Sequence, residues 1–421
     1  MSKKIKVLTL SDHPLSPSGV GTQTKYMCTA LLDSGKFQIS SFGGAIKHHN
    51  YQPQIIEPYG EEWKIFPIDG YGNPEMLRSI IRNEKPDIVW IMTDPRFWGW
   101  LWGMENEIRG LCPLVYYHVW DNYPYPMFNK KYYESNDHIV TISRLTDDIV
   151  RNVAPEVTCT YLPHAVDNEI FIPHSPEIVK KLRESNLEEV DRDKFIVFWN
   201  SRNARRKQSG SLIWWWKEWL DERDLHEKAQ LIMHTDPKDV HGQDLDEIVN
   251  HLGLNKRQVL FSRSKLDPAG LAAMYNMADA TISVSDAEGF GLSTLESLSC
   301  GTPIIATVTG GLQDQIMSGG ETFGIPLFPV SKSIIGSQDV PYIYEDRLSG
   351  DHVKSALSNL YDLKPEQRQE MGLKGREHVM ENFNLKQFNQ RWVDLMVDIH
   401  EKNGSWDTRQ GYSSITFEEI V

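Results

Sequence analysis

The chain has 421 residues, 40% of them hydrophobic and 24% charged, with a formal net charge of -14. That length exceeds one ordinary core and suits two α/β domains, the composition is that of a globular chain, and the acidity disfavours nucleic acid as a partner. No stretch approaches the roughly 18 apolar residues of a membrane span, which leaves at most peripheral membrane contact, and Cys28, Cys112, Cys159 and Cys300 form no CxxC pair and read as buried thiols of a reducing compartment, with the cytoplasm as default location.

Residues 5–10 (IKVLTL) are a short, branched apolar run, cut off at once by Ser11, Asp12 and His13. The run is too short for a signal peptide and reads as a buried parallel strand. A loop with Pro14, Pro17, Gly19 and Gly21 follows, then a helical segment at 22–32. Strand, glycine-containing loop and helix open a doubly wound fold. Further strands are predicted at 37–42, 87–92 (DIVWIM), 114–118 (LVYYH) and 138–142, and residues 160–163 end this series. Polar residues 168–192 read as a linker with a short helix.

The alternation then restarts. Strands are predicted at 195–200 (FIVFWN), 229–234, 259–261, 280–284 and 303–307, and helices at 211–220, 245–252, 269–278 and 292–299. Two such series imply two Rossmann-like domains, each with a parallel sheet, facing one another with ligands at the carboxyl ends of the strands. The expected division is 1–168, then 169–384, with a helix at about 385–402 rejoining the first domain and a loose polar tail at 403–421.

Residues 285–312, SDAEGFGLSTLESLSCGTPIIATVTGGL, carry the most chemistry. Glu288 lies in the loop after a strand, Gly289-Phe290-Gly291 makes a tight turn, and a helix starts near Leu292. Glycine admits positive φ and close approach of a ligand, and unpaired N–H groups at a helix start favour a diphosphate. Glu296 is expected about one turn further on, on the exposed side. Two carboxylates so placed can accept hydrogen bonds from hydroxyls on two sugar rings flanking the diphosphate. Either glutamate alone is equally compatible with a cap or a solvated helix residue; the turn between them favours the ligand-binding reading. The segment Asn200-Ser201-Arg202-Asn203-Ala204-Arg205-Arg206-Lys207 follows FIVFWN directly. Cations there suit a leaving diphosphate, Arg through two N–H groups and Lys as a point charge. A solvated basic loop is the plainer alternative.

In these residues the sequence resembles the retaining glycosyltransferases of GT-B fold, family four of the sugar-transferase classification (group 1 glycosyl transferases). Glu288 and Glu296 match the family's pair of glutamates with seven residues between them, EGFGLSTLESLSCGTPII matches the surrounding pattern, and Arg202 and Lys207 match its phosphate-binding pair. His164-Ala165-Val166-Asp167 departs from the family's junction signal at its first two positions, and Gly19-Val20-Gly21 stands where adjacent glycines are usual. The resemblance implies an acceptor-side first domain and a nucleotide-sugar-binding second domain. It implies that Glu288 contacts the transferred sugar and Glu296 the ribose, and that backbone N–H groups of Phe290, Gly291 and Leu292 touch sugar or phosphate. Gly19 and Gly21 would line the diphosphate, Gly310-Gly311 would form a loop near the donor, and His118 would help position the donor sugar, although a lone histidine is as often structural. Arg202 and Lys207 would hold the leaving phosphate in a front-face, retaining transfer without a protein nucleophile.

No bound metal and no cofactor are implied. The co-substrate would be a UDP- or GDP-sugar, and the acceptor a hydroxyl on a glycan, lipid or small molecule, with a nucleic-acid base disfavoured by the acidity. An epimerase of the same fold and an inactive nucleotide-sugar-binding protein are the alternatives. The runs Phe97-Trp98-Gly99-Trp100-Leu101-Trp102 and Trp214-Trp215-Trp216 with Trp219 suit sugar stacking, but core-facing helices account for them better. Tyr123, Tyr125 and Met127 lie in a loop that suits an acceptor wall.

Overall fold

The structure, a computed structural model, describes residues 3–254 and 257–414. The chain divides into two compact units. The first contains the chain up to Ala165, Ser337–Pro341 and the chain from Leu385 on; the second contains Val166–Gly336 and Tyr342–Asn384.

In the first unit, β1 (Ile5–Asp12), β2 (Phe37–Gly44), β3 (Gln54–Ile56), β4 (Gly60–Pro67), β5 (Ile88–Met92), β6 (Leu114–His118), β7 (His138–Thr141) and β8 (Thr158–Tyr161) make one sheet in the order β3-β4-β2-β1-β5-β6-β7-β8. All pairs are parallel except β3 with β4. β5 and β6 are buried along their whole length, as befits inner strands covered on both faces. β4 differs: Trp63, Ile65 and Pro67 are buried while Glu62, Lys64 and Phe66 between them are not. This alternation breaks the apolar run that marks an inner strand, so β3 and β4 do not stand out in the sequence.

The first helix, Gly19–Asp33, begins earlier than the expected 22–32, because Ser18 caps it by accepting from the Gly21 N–H at 2.9 Å. Gly19 and Gly21 therefore lie in the first helical turn, not in the loop. A side chain at Gly21 would run into Ser16 and the His13 carbonyl, so the close wrap of residues 13–16 requires glycine there.

The helix Leu385–Asn403 packs against Gly19–Asp33. Its fully buried Trp392 stands edge-on to Trp90 at 6.0 Å and to Tyr117 at 5.0 Å. The polar segment that follows is not loose. Trp406 N–H donates to the Leu111 carbonyl (2.6 Å), Ser405 Oγ to Asp87 (2.6 Å) and the Arg409 guanidinium to Asp137 (2.7 Å). Its polar side chains find partners within the first unit instead of water. Residues 415–421 of the expected tail lie outside the described residues.

In the second unit, β9 (Phe195–Asn200), β10 (Ala229–His234), β11 (Val259–Ser262), β12 (Ala280–Ser283) and β13 (Ile304–Thr307) are followed by the short antiparallel pair β14 (Met317–Ser318) and β15 (Glu321–Thr322), by β16 (Ile325–Leu327), and by a hairpin of β17 (Ser331–Ile335) and β18 (Ile343–Arg347). The main sheet runs β11-β10-β9-β12-β13-β16, all parallel. The helix Ser209–Arg223 buries Trp216 and Trp219, with ring centroids 5.0 Å apart, and leaves Trp214 exposed. In the first unit Trp98 and Leu101 are likewise buried while Phe97 is exposed. Both aromatic runs thus serve chiefly as core.

Removing the Trp392 side chain should destabilise the first unit by about 3–5 kcal/mol, since it deletes a fully buried indole and leaves a cavity. Urea denaturation of Trp392→Ala, followed by far-UV circular dichroism, measures this.

Candidate active site

The strand order of the second sheet reverses between β9 and β12. Connections leaving two neighbouring parallel strands there run to opposite faces and open a crevice at the carboxyl ends. The connections are residues 201–208 after β9 and 284–291 after β12, and they hold both sequence-predicted constellations.

Lys207 and Glu288 meet directly, the ammonium Nζ donating to Oε2. Their side chains are 9% and 17% exposed, so this is a largely desolvated pair and not a solvated surface charge. Asn203 anchors the same connection: its Nδ2 donates to the carbonyls of Gln243 (2.6 Å) and Pro237 (3.3 Å), and its Oδ1 accepts from Ser209 Oγ (2.7 Å). Arg202 is mostly exposed and leans on Asp239 through two hydrogen bonds of 2.6 and 3.1 Å. The basic run is therefore a fixed loop with each of these side chains engaged.

Glu296 lies one turn into the helix Leu292–Ser299 and is half-buried, not exposed as expected. Its Oε2 accepts from Tyr275 Oη (2.7 Å), which in turn accepts from Asn200 Nδ2 (2.8 Å). This relay ties Glu296 to the last residue of β9. Loss of water raises the Glu296 carboxyl to about 7, against the opposing effect of the Tyr275 hydrogen bond.

Gly291 takes φ 90° at the start of that helix, and no side chain caps it, which leaves its first-turn N–H groups directed at the crevice. Gly310, with φ +48°, and Gly311 lie against the backbone of Glu288 and Gly289, and the Gly311 N–H donates to the Glu288 carbonyl at 2.9 Å. A Cβ at Gly310 would collide with that carbonyl. Phe290 turns its ring into the core, edge-on to Phe383 at 5.7 Å, so a ligand meets only its backbone. Leu292 is partly exposed.

Gly19, Gly21 and His118 belong to the first unit. His118 ends β6 and is fully buried; its Nε2 shares a 2.8 Å hydrogen bond with Tyr133 Oη, and its Nδ1 has no partner among the described residues. Burial pushes its pKa down to about 3, which keeps the imidazole neutral near neutral pH. The ring is fully buried at the carboxyl end of β6. Sequence reasoning passed over Tyr275 and Asp239, whose partners are distant in the chain. It also passed over Asp286, a buried carboxylate that accepts from Gln208 Nε2 at 2.6 Å; its position two residues before Glu288 was the available signal.

Residues 191–326 match the family "Glycosyl transferases group 1". The chain is 27% identical over 161 residues to a trehalose synthase of Pyrococcus horikoshii, covering 38% of this chain and 30% of that protein. It is 29% identical over 161 residues to N-acetyl-alpha-D-glucosaminyl L-malate synthase of Bacillus anthracis, covering 38% and 35%. The matched part thus spans about a third of the length of these curated relatives. A sucrose-phosphate synthase structure from Thermosynechococcus elongatus covers 95% of this chain and all of its own at TM-score 0.75 and 17% identity, and Anabaena HepE, solved with UDP and glucose, covers 94% and 100% at TM-score 0.68 and 15% identity. These likenesses show the fold: two α/β domains with parallel sheets, the GT-B architecture.

The folded Glu296 carboxyl, at about 7, lies above its ordinary 4.5, so the folded protein keeps a proton that the unfolded chain releases. That contribution to stability is complete below the lower value and is lost as pH rises through the upper one. Glu296→Gln should abolish this pH slope and stabilise the nucleotide-free protein near pH 8 by up to about 3 kcal/mol, measured by urea denaturation across the range. Gly310→Ala should lower stability, because its Cβ would collide with the Glu288 carbonyl and the loop that carries Glu288 must move; thermal melting measures this.

Proposed function

We propose that this chain, whose residues 191–326 match the group 1 glycosyl transferases, moves a sugar from a nucleotide-diphosphate sugar to a hydroxyl acceptor with retention at the anomeric carbon. The observation that carries the reading is the desolvated Lys207–Glu288 pair at the β9/β12 switch point, beside an uncapped helix start. Anabaena HepE is described with UDP and glucose, and a structure from E. coli, named for trehalose-6-phosphate, with UDP-2-fluoro glucose. They support UDP as the first carrier to test here, with GDP as the second.

The diphosphate would sit at the first turn of Leu292–Ser299, where backbone N–H groups and the positive end of the helix favour an anion. Lys207 and Arg202 supply positive charge to the phosphate oxygen as the bond from the anomeric carbon to that oxygen breaks. The acceptor hydroxyl approaches from the same face and forms the new carbon–oxygen bond, and its proton passes to the departing phosphate. No side-chain nucleophile takes part. Glu288 accepts from hydroxyls of the transferred sugar and Glu296 from the ribose. A ribose hydroxyl donating to Glu296 favours the ionised carboxylate, so donor binding would draw this group's pKa down from its raised value. Charge is supplied by the chain's own cations, and the reaction would run in the cytoplasm without a bound metal.

Incubation with labelled UDP- and GDP-sugars tests this reading. Transfer or slow hydrolysis supports it, release of an altered nucleotide sugar would favour an epimerase, and absence of binding to either nucleotide would sink it. Glu288→Ala is expected to lower transfer by about a hundredfold or more in a protein that keeps its far-UV circular dichroism but melts at a lower temperature, because Lys207 loses its largely desolvated partner. Arg202→Ala and Lys207→Ala should each weaken UDP or GDP binding by about tenfold or more; equal affinity by calorimetry would remove them from the phosphate site.

A further inference from the structure

The hairpin β17–β18 lies beyond the matched stretch 191–326 and joins neither main sheet, yet its second strand enters an ion network that reaches both connections of the site. Glu345 is 2% exposed, and both its oxygens are engaged: Arg205 donates to them at 2.8 and 2.6 Å, and Arg347 donates to Oε2 at 3.1 Å. Arg347 also pairs at 2.8 Å with Asp286, two residues before Glu288. Asp286 holds Gln208, the neighbour of Lys207. Backbone bonds close the circuit, from the Asp286 N–H to the Arg206 carbonyl (2.8 Å) and from the Asp346 N–H to the Asp286 carbonyl (3.0 Å).

The network balances two carboxylates against two guanidiniums. Burial works against the Glu345 charge, yet Arg205 and Arg347 hold its carboxyl below the ordinary range. Buried ion networks add little net stability, because desolvation offsets the attraction, but removing one partner strands the others. What such a network determines is geometry. Here it spans the residues beside Lys207 and beside Glu288, and it commits Arg205 to Glu345.

We propose that Glu345 and Arg347 are positioning residues for sugar transfer. They hold residues 201–208 and 284–291 at the spacing that seats a nucleotide's diphosphate between Lys207 and the first turn of Leu292–Ser299. The inference rests on the donor-site reading above, and it assigns the hairpin a task in that site.

The test titrates UDP and GDP, each by calorimetry, into wild type, Glu345→Gln, Arg347→Gln and Arg347→Lys. Glu345→Gln keeps the side chain's shape and removes its charge, and Arg347→Gln cuts the link to Asp286 at a side chain that is 27% exposed. Both should bind the nucleotide that wild type binds about tenfold more weakly while still folded at the assay temperature, with melting temperatures below wild type because the network loses a partner, and Arg347→Lys should recover part of the loss in affinity. Undiminished affinity in a folded Glu345→Gln or Arg347→Gln overturns the proposal. If only Glu345→Gln fails to fold, Arg347→Gln decides; if both fail, the network is a stability element and the proposal is overturned. Wild type that binds neither nucleotide overturns the donor-site reading itself, an outcome distinct from wild-type binding that the variants preserve.

Discussion

Reversal of strand order between β9 and β12 is the constraint on which the candidate site depends. Two adjacent parallel strands whose crossovers run to opposite faces leave their carboxyl-end connections with no helix above them. The space so made is lined by loop backbone and by the first turn of Leu292–Ser299. A pair such as Lys207 and Glu288, largely removed from water, is costly unless its charges are matched and oriented. The fixed loop around Asn203 and the glycine contacts at Gly310 and Gly311 supply that orientation. Charge separation is thus held in place before any ligand arrives, as electrostatic preorganisation requires.

At the opposite end of the same sheet the ion pairs are tied into the backbone. Asp279 accepts from the Ile196 N–H at 2.9 Å and pairs with Arg183 at 3.0 Å and Arg368 at 3.3 Å, while Arg183 also donates to the carbonyls of Met277, Arg192 and Lys194. Every guanidinium group named there is spent on backbone or on one carboxylate. At the carboxyl end the glutamates are tied more lightly, Glu288 to one ammonium and Glu296 to one phenol. Each carboxylate retains acceptor capacity that a polyhydroxylated ligand can use.

The first unit offers rigidity of a different kind. Its C-terminal helix and the segment through residue 414 fasten onto the sheet and the helix Gly19–Asp33 by aromatic packing and by hydrogen bonds to Asp87, Leu111 and Asp137. His118 shows the effect on chemistry. Burial with one nitrogen on Tyr133 pushes its pKa far below neutrality, so the imidazole is neutral near neutral pH.

The sequence by itself determined the two βα series, the parallel sheets and the strand-end loops that bear Arg202, Lys207, Glu288 and Glu296, because each of these signals is local: a strand, a turn and a helix start follow one another within a few residues. Only the tertiary structure decided the partners. Lys207 and Glu288 are 81 residues apart, and Arg205 and Glu345 are 140 apart; no periodicity encodes such a meeting. Tertiary packing also fastened residues 405–414 onto the first unit, drew Glu296 half out of water, placed Gly19 and Gly21 inside a helix, and buried His118. In each case the residue type is the same in either environment, and desolvation and hydrogen-bond partners, which exist only once the chain has closed on itself, set the outcome.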